Sequence, residues 1–301
     1  MKFFQPVLFL TFALLTTGHI HSQVCKPIFK KTYGGNGHDE TRSIIATTDK
    51  GSMVAGRTTS GTTGDYDAVL LKLAEDGSIQ WTRRYGGNND DVFSKVKQTT
   101  DGGYICIGTT KSFGNSQGEV WIVKTDATGT MVWARHYGKP DIYIKGKEIV
   151  QLSDGGFMFI ANEADSTAQS NAIICRIDAA GLISWTRVFD HGNEDGFNSI
   201  AIAGNGVYVA GFATVDRKDG ILMRMAIVDG SSSYLKKYVR QINQDDELID
   251  VEPTQDGISF GSRSYFVTPS NSHISNLVFF KMKSDGSIYF RRRADVSFNQ
   301  Y

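Results

Sequence analysis

The chain repeats itself at intervals of close to 52 residues, and this period constrains its fold more than any other feature. Aromatic residues stand at Phe29, Trp81, Trp133, Trp185, Tyr234 and Phe290, at spacings of 52, 52, 52, 49 and 56. Two residues after each comes a basic side chain: Lys31, Arg83, Arg135, Arg187, Lys236 and Arg292. Four residues after come Tyr33, Tyr85, Tyr137, Phe189 and Tyr238, and Ala294 alone breaks the series. Acidic turns such as "EDG" and "TDATG" precede the aromatic anchors, and a further marker ("TDKGSMVAG", "TDGGYICIG", "SDGGFMFIA", "GNGVYVAG", "TQDGISFG") keeps the same phase.

Each period reads as four short strands. In the second, "VFSKVKQTT" (A) precedes a DGG turn, "YICIGTT" (B) follows it, "EVWIVKTD" (C) comes after a Gly and Ser loop, and "TMVWARHYG" (D) closes the unit. The runs are rich in Val, Ile and aromatics and are bounded by Asp and Gly pairs, the composition of hairpins. No segment sustains a helical period. An isolated four-stranded sheet cannot bury both faces, so the units must stack. The expectation is an all-β protein, a β-propeller of five blades with four antiparallel strands each. Its units run over approximately 34–85, 86–137, 138–189, 190–238 and 239–294, with an extra outer strand at 27–33. Two D-type strands, "PIFKKTYGG" and "SIYFRRRAD", compete for one place in the ring, and the sequence leaves open which takes it. The aromatic anchor is expected to wedge between blades, and the basic residue beside it to guard an outer strand against edge pairing.

The N-terminus stands apart. Lys2, the apolar run Val7 to Leu15 and the more polar stretch Thr16 to Ser22 form the pattern of a secretory signal peptide over 1–22, with a single mature domain over 23–301. The apolar run is too short to span a bilayer, so no transmembrane segment is expected in the mature chain, which is placed outside the cytoplasm as a secreted, periplasmic or surface protein. Val24 before Cys25 does not suit lipid attachment, which favours simple export.

Acidic and basic residues balance at 32 each, so no whole-chain field would draw nucleic acid. The remaining cysteines, Cys25, Cys106 and Cys175, are neither a disulfide framework nor a metal-ligand set. Cys106 and Cys175 lie in apolar runs, where a thiol acts as a small buried hydrophobe.

These repeats resemble those of secreted bacterial β-propeller repeat proteins of Bacteroidetes type, whose unit reads W-x-[KR]-x-Y-G-G, then D-G-G-[YF], then D-x-x-G-x-[IV]-x-W. The resemblance covers nearly the whole mature chain and implies the fold; it implies no one activity.

Strand direction sends the tight A–B and C–D turns to one face and the longer D–A and B–C loops to the other. Binding is expected on the long-loop face. Candidate ligand-binding residues there are the acids Asp39, Asp90, Asp91, Asp195 and Asp245 and the rings Tyr66, Phe113, Tyr265 and Phe266. Carboxylates beside exposed rings suit sugar hydroxyls and the sugar's apolar face. The acids could equally satisfy backbone amides in the turns, and the rings could pack between blades. A weak Ca²⁺ site at the ring of carboxylates is the one cofactor considered, and no DxDxDG loop supports it. His38, His136, His191 and His273 have no metal-ligand spacing, and no G-x-S-x-G elbow occurs. No catalytic or metal residue is assigned. The expected function is a non-catalytic, monomeric binding module for a glycan or a protein; the alternatives are a structural component of the cell envelope and a polysaccharide hydrolase or lyase.

Overall fold

The computed structural model describes residues 31–62, 64–164, 169–191, 193–214, 217–238, 245–267, 273–283 and 286–294. Side chains are described throughout these ranges except at 233–238, 265–267, 273–276, 290 and 292–294. The signal-peptide region and the extra strand up to residue 30 lie outside the described residues.

Twenty strands form five sheets, each with its four strands in chain order. Blade 1 holds β1 (Asp39–Ala46), β2 (Ser52–Thr58), β3 (Asp67–Leu73) and β4 (Ile79–Tyr85). Blade 2 holds β5 (Asp91–Gln98), β6 (Tyr104–Thr110), β7 (Glu119–Thr125) and β8 (Met131–Tyr137). Blade 3 holds β9 (Tyr143–Gln151), β10 (Phe157–Ala164), β11 (Ser170–Ile177) and β12 (Ile183–Phe189). Blade 4 holds β13 (Asp195–Ala203), β14 (Gly206–Thr214), β15 (Lys218–Ala226) and β16 (Ser232–Tyr238). Blade 5 holds β17 (Asp245–Thr254), β18 (Gly257–Val267), β19 (His273–Lys283) and β20 (Ile288–Ala294). The chain is an all-β propeller.

Blades stack through buried apolar layers. Met53, Ala55 and Leu70 of blade 1 meet Phe93, Val96 and Tyr104 of blade 2, and equivalent clusters join blades 2 and 3, 3 and 4, and 4 and 5. The aromatic anchors work as wedges, with Trp81 edge-on to Tyr104 and Trp133 edge-on to Phe157, both at 6.2 Å between ring centroids. The indole N–H of Trp133 donates to Ala179 O and that of Trp185 to Ile227 O, each in the following blade. The basic residue two positions on lies over its own anchor, Arg83 on Trp81, Arg135 on Trp133 and Arg187 on Trp185, at 5.6–5.9 Å. The tyrosine four positions on also reaches the next blade: Tyr85 Oη donates to Gly129 O and Tyr137 Oη to Gly181 O.

Tyr33 makes the same bond, from its hydroxyl to Gly77 O at 2.6 Å, against blade 1. The C-terminal D strand, β20, pairs with β19 and completes blade 5. Residues 31–35, the described part of the other candidate, form no strand. Among the described residues no buried apolar cluster joins blade 5 to blade 1. Ile44 of β1 is 63% exposed, whereas its equivalents Val96, Ile149, Ile200 and Val251 are at most 2% exposed.

Cys106 and Cys175 are free and buried, and burial raises both thiols, Cys175 to about 11.

Candidate functional site

Every A strand carries a β-bulge at the same place. The pairing of A with B skips one residue in each blade: Arg42 in β1, Ser94 in β5, Lys147 in β9, Asn198 in β13 and Ile249 in β17. A bulge inserts an unpaired residue and re-aims its side chain. All five of these residues line one cavity of about 600 Å³. Its lining residues come from the five A strands and the ends of three B strands, so it lies on the axis where the blades converge.

In three blades the bulged strand presses a carbonyl onto a glycine of the B strand. A Cβ on Gly108 of β6 would sit 1.8 Å from Val92 O, and Gly56 and Gly211 face Glu40 O and Gly196 O in the same way, whereas Gly261 of blade 5 has ordinary room. Blade 3 has Ala161 at this position and pairs it with Gly146 of β9.

The cavity wall is cationic. Arg42, Arg57, Lys95, Lys145, Lys147 and Arg263 line it, with Glu247 as the carboxylate among them. Glu247 accepts hydrogen bonds from Arg263. Glu40 accepts from Arg57 Nε at 2.7 Å and pairs with Arg42 at 2.8 Å. Desolvation works against the Glu40 carboxylate, but the hydrogen bond from Arg57 and the charge of both arginines outweigh it and hold its pKa below the ordinary range. The arginines are thus matched by acids. Lys95, Lys145 and Lys147 have no carboxylate within ion-pair distance among the described residues. Burial first, and then the charges of Lys145 and Lys95, lower the pKa of the Lys147 ammonium despite the opposing pull of Glu247. Polar and aromatic groups complete the wall: Ser94, Asn198, Thr109 and Tyr143. The Thr109 hydroxyl is buried without a hydrogen-bond partner, and the residue is 4% exposed.

In blades 3, 4 and 5 the residue after the bulge belongs to a second polar layer that ties these blades together. Ser199 Oγ lies 2.8 Å from both Glu148 Oε2 and Asp250 Oδ1, and Lys97 Nζ pairs with Glu148 Oε1 at 3.0 Å. Desolvation opposes the Lys97 charge, but Glu148 outweighs it and raises its pKa.

The acids expected on the long-loop face divide into two groups. Asp39, Asp91 and Asp195 each accept the backbone N–H four residues earlier, from Gly35, Gly87 and His191, and so close the D–A loops. Asp39 also accepts from Thr58 Oγ1 and Asp91 from Ser112 Oγ, while Asp195 accepts Thr214 N. Asp91 and Asp195 are at most 1% exposed, so these carboxylates are committed to turns. Asp90 is half-buried; it accepts Tyr66 N and lies 3.9 Å from Lys111 Nζ. Asp245 is exposed at the start of β17, opposite Tyr265 in the ladder.

Of the rings, Tyr66 lies beneath the guanidinium of Arg57 at 4.0 Å, which brings it beside the cavity. Phe113 is 39% exposed and rests on Trp121. The side chains of Tyr265 and Phe266 lie outside the described residues. Sequence reasoning missed the lysines of the cavity, which stand inside strands rather than in the irregular loops. The cavity opens on the side of the D–A and B–C loops, where Tyr143 and Val92 stand at the starts of their A strands.

Among the described residues, no group of three or more His, Cys, Asp or Glu could hold a metal ion. No helix among them is long and apolar enough to cross a membrane.

No protein-family model matches the sequence, and no curated protein matches it. Several solved structures are similar in fold. One is a candidate exo-β-1,3-galactanase from Bifidobacterium bifidum, with TM-score 0.47, 14% identity, and 82% of this chain and 90% of that chain covered. A second is an endo-arabinanase from Bacillus licheniformis, with TM-score 0.41, 11% identity, and 87% and 100% covered. A third is an exo-β-1,3-galactanase from Phanerochaete chrysosporium, with TM-score 0.45, 12% identity, and 85% and 62% covered.

Proposed function

We propose that this chain is an exported binding module that takes a glycan or protein ligand at the D–A and B–C loop face and does not transform it. The observation that carries this reading is the axial cavity of about 600 Å³, to which every blade contributes a bulged residue. That volume lies within the range of small-ligand sites, which is about 300–1,000 Å³. Five strands fix the wall, so the groups on it are held by ladders rather than by loops. The wall mixes an aromatic ring, a hydroxyl, an amide and cations, a set that can orient a polar ligand. Hydrolysis of a glycosidic bond generally needs two carboxylates flanking that bond. The cavity wall supplies Glu247, and that side chain is engaged by Arg263.

The test is a glycan array probed with the mature protein, with and without Ca²⁺, followed by paired variants. Tyr143→Ala stands at the cavity, and Thr128→Ala stands in a C–D turn on the opposite face. Binding lost in the first and kept in the second supports the reading. Binding that follows the second variant, or that survives the first, refutes the face assignment. Shortening of a bound polysaccharide would place the chain among the hydrolases or lyases instead.

A further inference from the structure

We infer that the axial cavity holds an anionic sugar, with Lys95, Lys145 and Lys147 receiving its carboxylate or sulfate groups; this deepens the proposed binding function and rests on it. Two observations converge. First, the three ammonium groups line one cavity and lack carboxylate partners there, while the arginines beside them are already matched by Glu40 and Glu247. A protein rarely gathers like charges in a partly closed space without an opposite charge to meet them, because each raises the cost of its neighbours. Second, Asn198 and Tyr143 share the wall. An amide can bond to a ring hydroxyl, and an aromatic face can receive the apolar side of a sugar. A free inorganic anion would use the ammonium groups and leave that ring and amide idle.

Geometry separates these lysines from ordinary surface charge. Lys147 is the bulged residue of β9, so its chain is sent toward the axis, and Lys145 precedes it by two positions on the same strand. Lys95 follows the bulge of β5, in the neighbouring blade. Two adjacent blades thus aim three cations into one space. Lysine acts here as a point charge and does not impose the planar bidentate geometry of arginine, so carboxylate and sulfate esters are both accommodated.

The experiment is calorimetric titration of the mature protein with a galacturonic acid trisaccharide, its methyl ester, a sulfated neutral trisaccharide, and sodium sulfate. The acid should bind, and its methyl ester, uncharged and larger only by the ester methyl, should bind roughly tenfold or more weakly. The sulfated sugar binding in place of the acid would support the inference and identify sulfate as the anion. Affinity should fall on raising the salt from 50 to 500 mM, as ionic contacts are screened. Lys147→Met and the more exposed Lys145→Gln should each lose about tenfold toward the anionic sugar. The thermal midpoint reports whether each is folded. Equal affinity for acid and ester, with the Tyr143→Ala effect intact, overturns the anionic assignment while leaving the binding face standing. Sodium sulfate competing as well as either sugar also overturns it, by reducing the site to a free-anion site. Absence of binding to any of the sugars, charged or neutral, overturns the anionic assignment and leaves the binding face to be decided by the glycan array.

Discussion

Replacing Gly108 with Ala tests whether the bulge that shapes the cavity depends on a missing side chain. The added Cβ would lie 1.8 Å from Val92 O and 2.8 Å from Phe93 Cα, both backbone atoms that no rotamer change can move. Relief requires the β5 backbone to retreat by about 1 Å or more, since non-bonded carbon and oxygen approach no closer than roughly 3 Å. Overpacking of this kind costs about 1–3 kcal/mol, and the loss of two ladder hydrogen bonds with it about 1 kcal/mol each, giving about 3–5 kcal/mol in all. Gly102, in the A–B turn of the same blade, is the control. It has φ of +83° and open space where its Cβ would go, so Gly102→Ala meets backbone strain alone. That strain is about 1–2 kcal/mol. Urea denaturation followed by tryptophan fluorescence measures both, with the slope checked for two-state behaviour. The thermal midpoint should drop about 2–4 °C per kcal/mol for a chain of this size. If Gly108→Ala costs no more than Gly102→Ala, the carbonyl can yield freely and the steric account of the bulge is wrong.

Other expectations follow from particular contacts. Tyr137→Phe removes the bond to Gly181 O and should cost about 1 kcal/mol, read as a shift of the urea midpoint. Asp49 and Asp101 are held at about 2, the first chiefly by the Lys72 hydrogen bond, the second by Thr99 and Lys124 against the desolvation that opposes them. Because these pKa values are depressed on folding, their contribution is present above about pH 4 and lost as the pH falls from there toward 2. The thermal midpoint should decline through that window, and Lys124→Met should make the decline shallower; an unchanged acid limb would contradict the pairing. Cys106 should resist alkylation at pH 8 until the chain unfolds, because burial raises its thiol and hides it. Rapid labelling of the native chain would contradict its burial.

The blades were legible in the sequence because each anchor has a physical task that recurs. Trp81, Arg83 and Tyr85 meet the next blade, or each other, in ways that Trp133, Arg135 and Tyr137 repeat. The cavity was less legible, since an extra residue within an A strand leaves the 52-residue spacing unchanged. A signal was present nonetheless. Strict alternation would bury every second residue, yet Phe93 and Val96, Phe197 and Ile200, and Leu248 and Val251 are buried pairs three apart. That spacing marks a bulge.

The acids misdirect for a related reason. An Asp at the start of an A strand looks alike whether it faces a ligand or folds back, and the bond from Gly87 N to Asp91 is visible only once the loop has its shape. The closing strand was ambiguous because both candidates share the D pattern. In the structure β20 takes the place beside β19, and the described residues of the N-terminal candidate, 31–35, form no strand.

Covalent footprinting of the lysines tests the central claim, an accessible cationic cavity on the propeller axis that receives an anionic sugar. The mature protein is treated with an amine-reactive acylating reagent at pH 8, with and without saturating galacturonic acid trisaccharide, and each site is quantified by peptide mass spectrometry. The account predicts that the sugar protects Lys95, Lys145 and Lys147 while leaving the exposed Lys50 and Lys283 unchanged. Protection confined to other lysines, or labelling of all three cavity lysines unaffected by bound sugar, would contradict it.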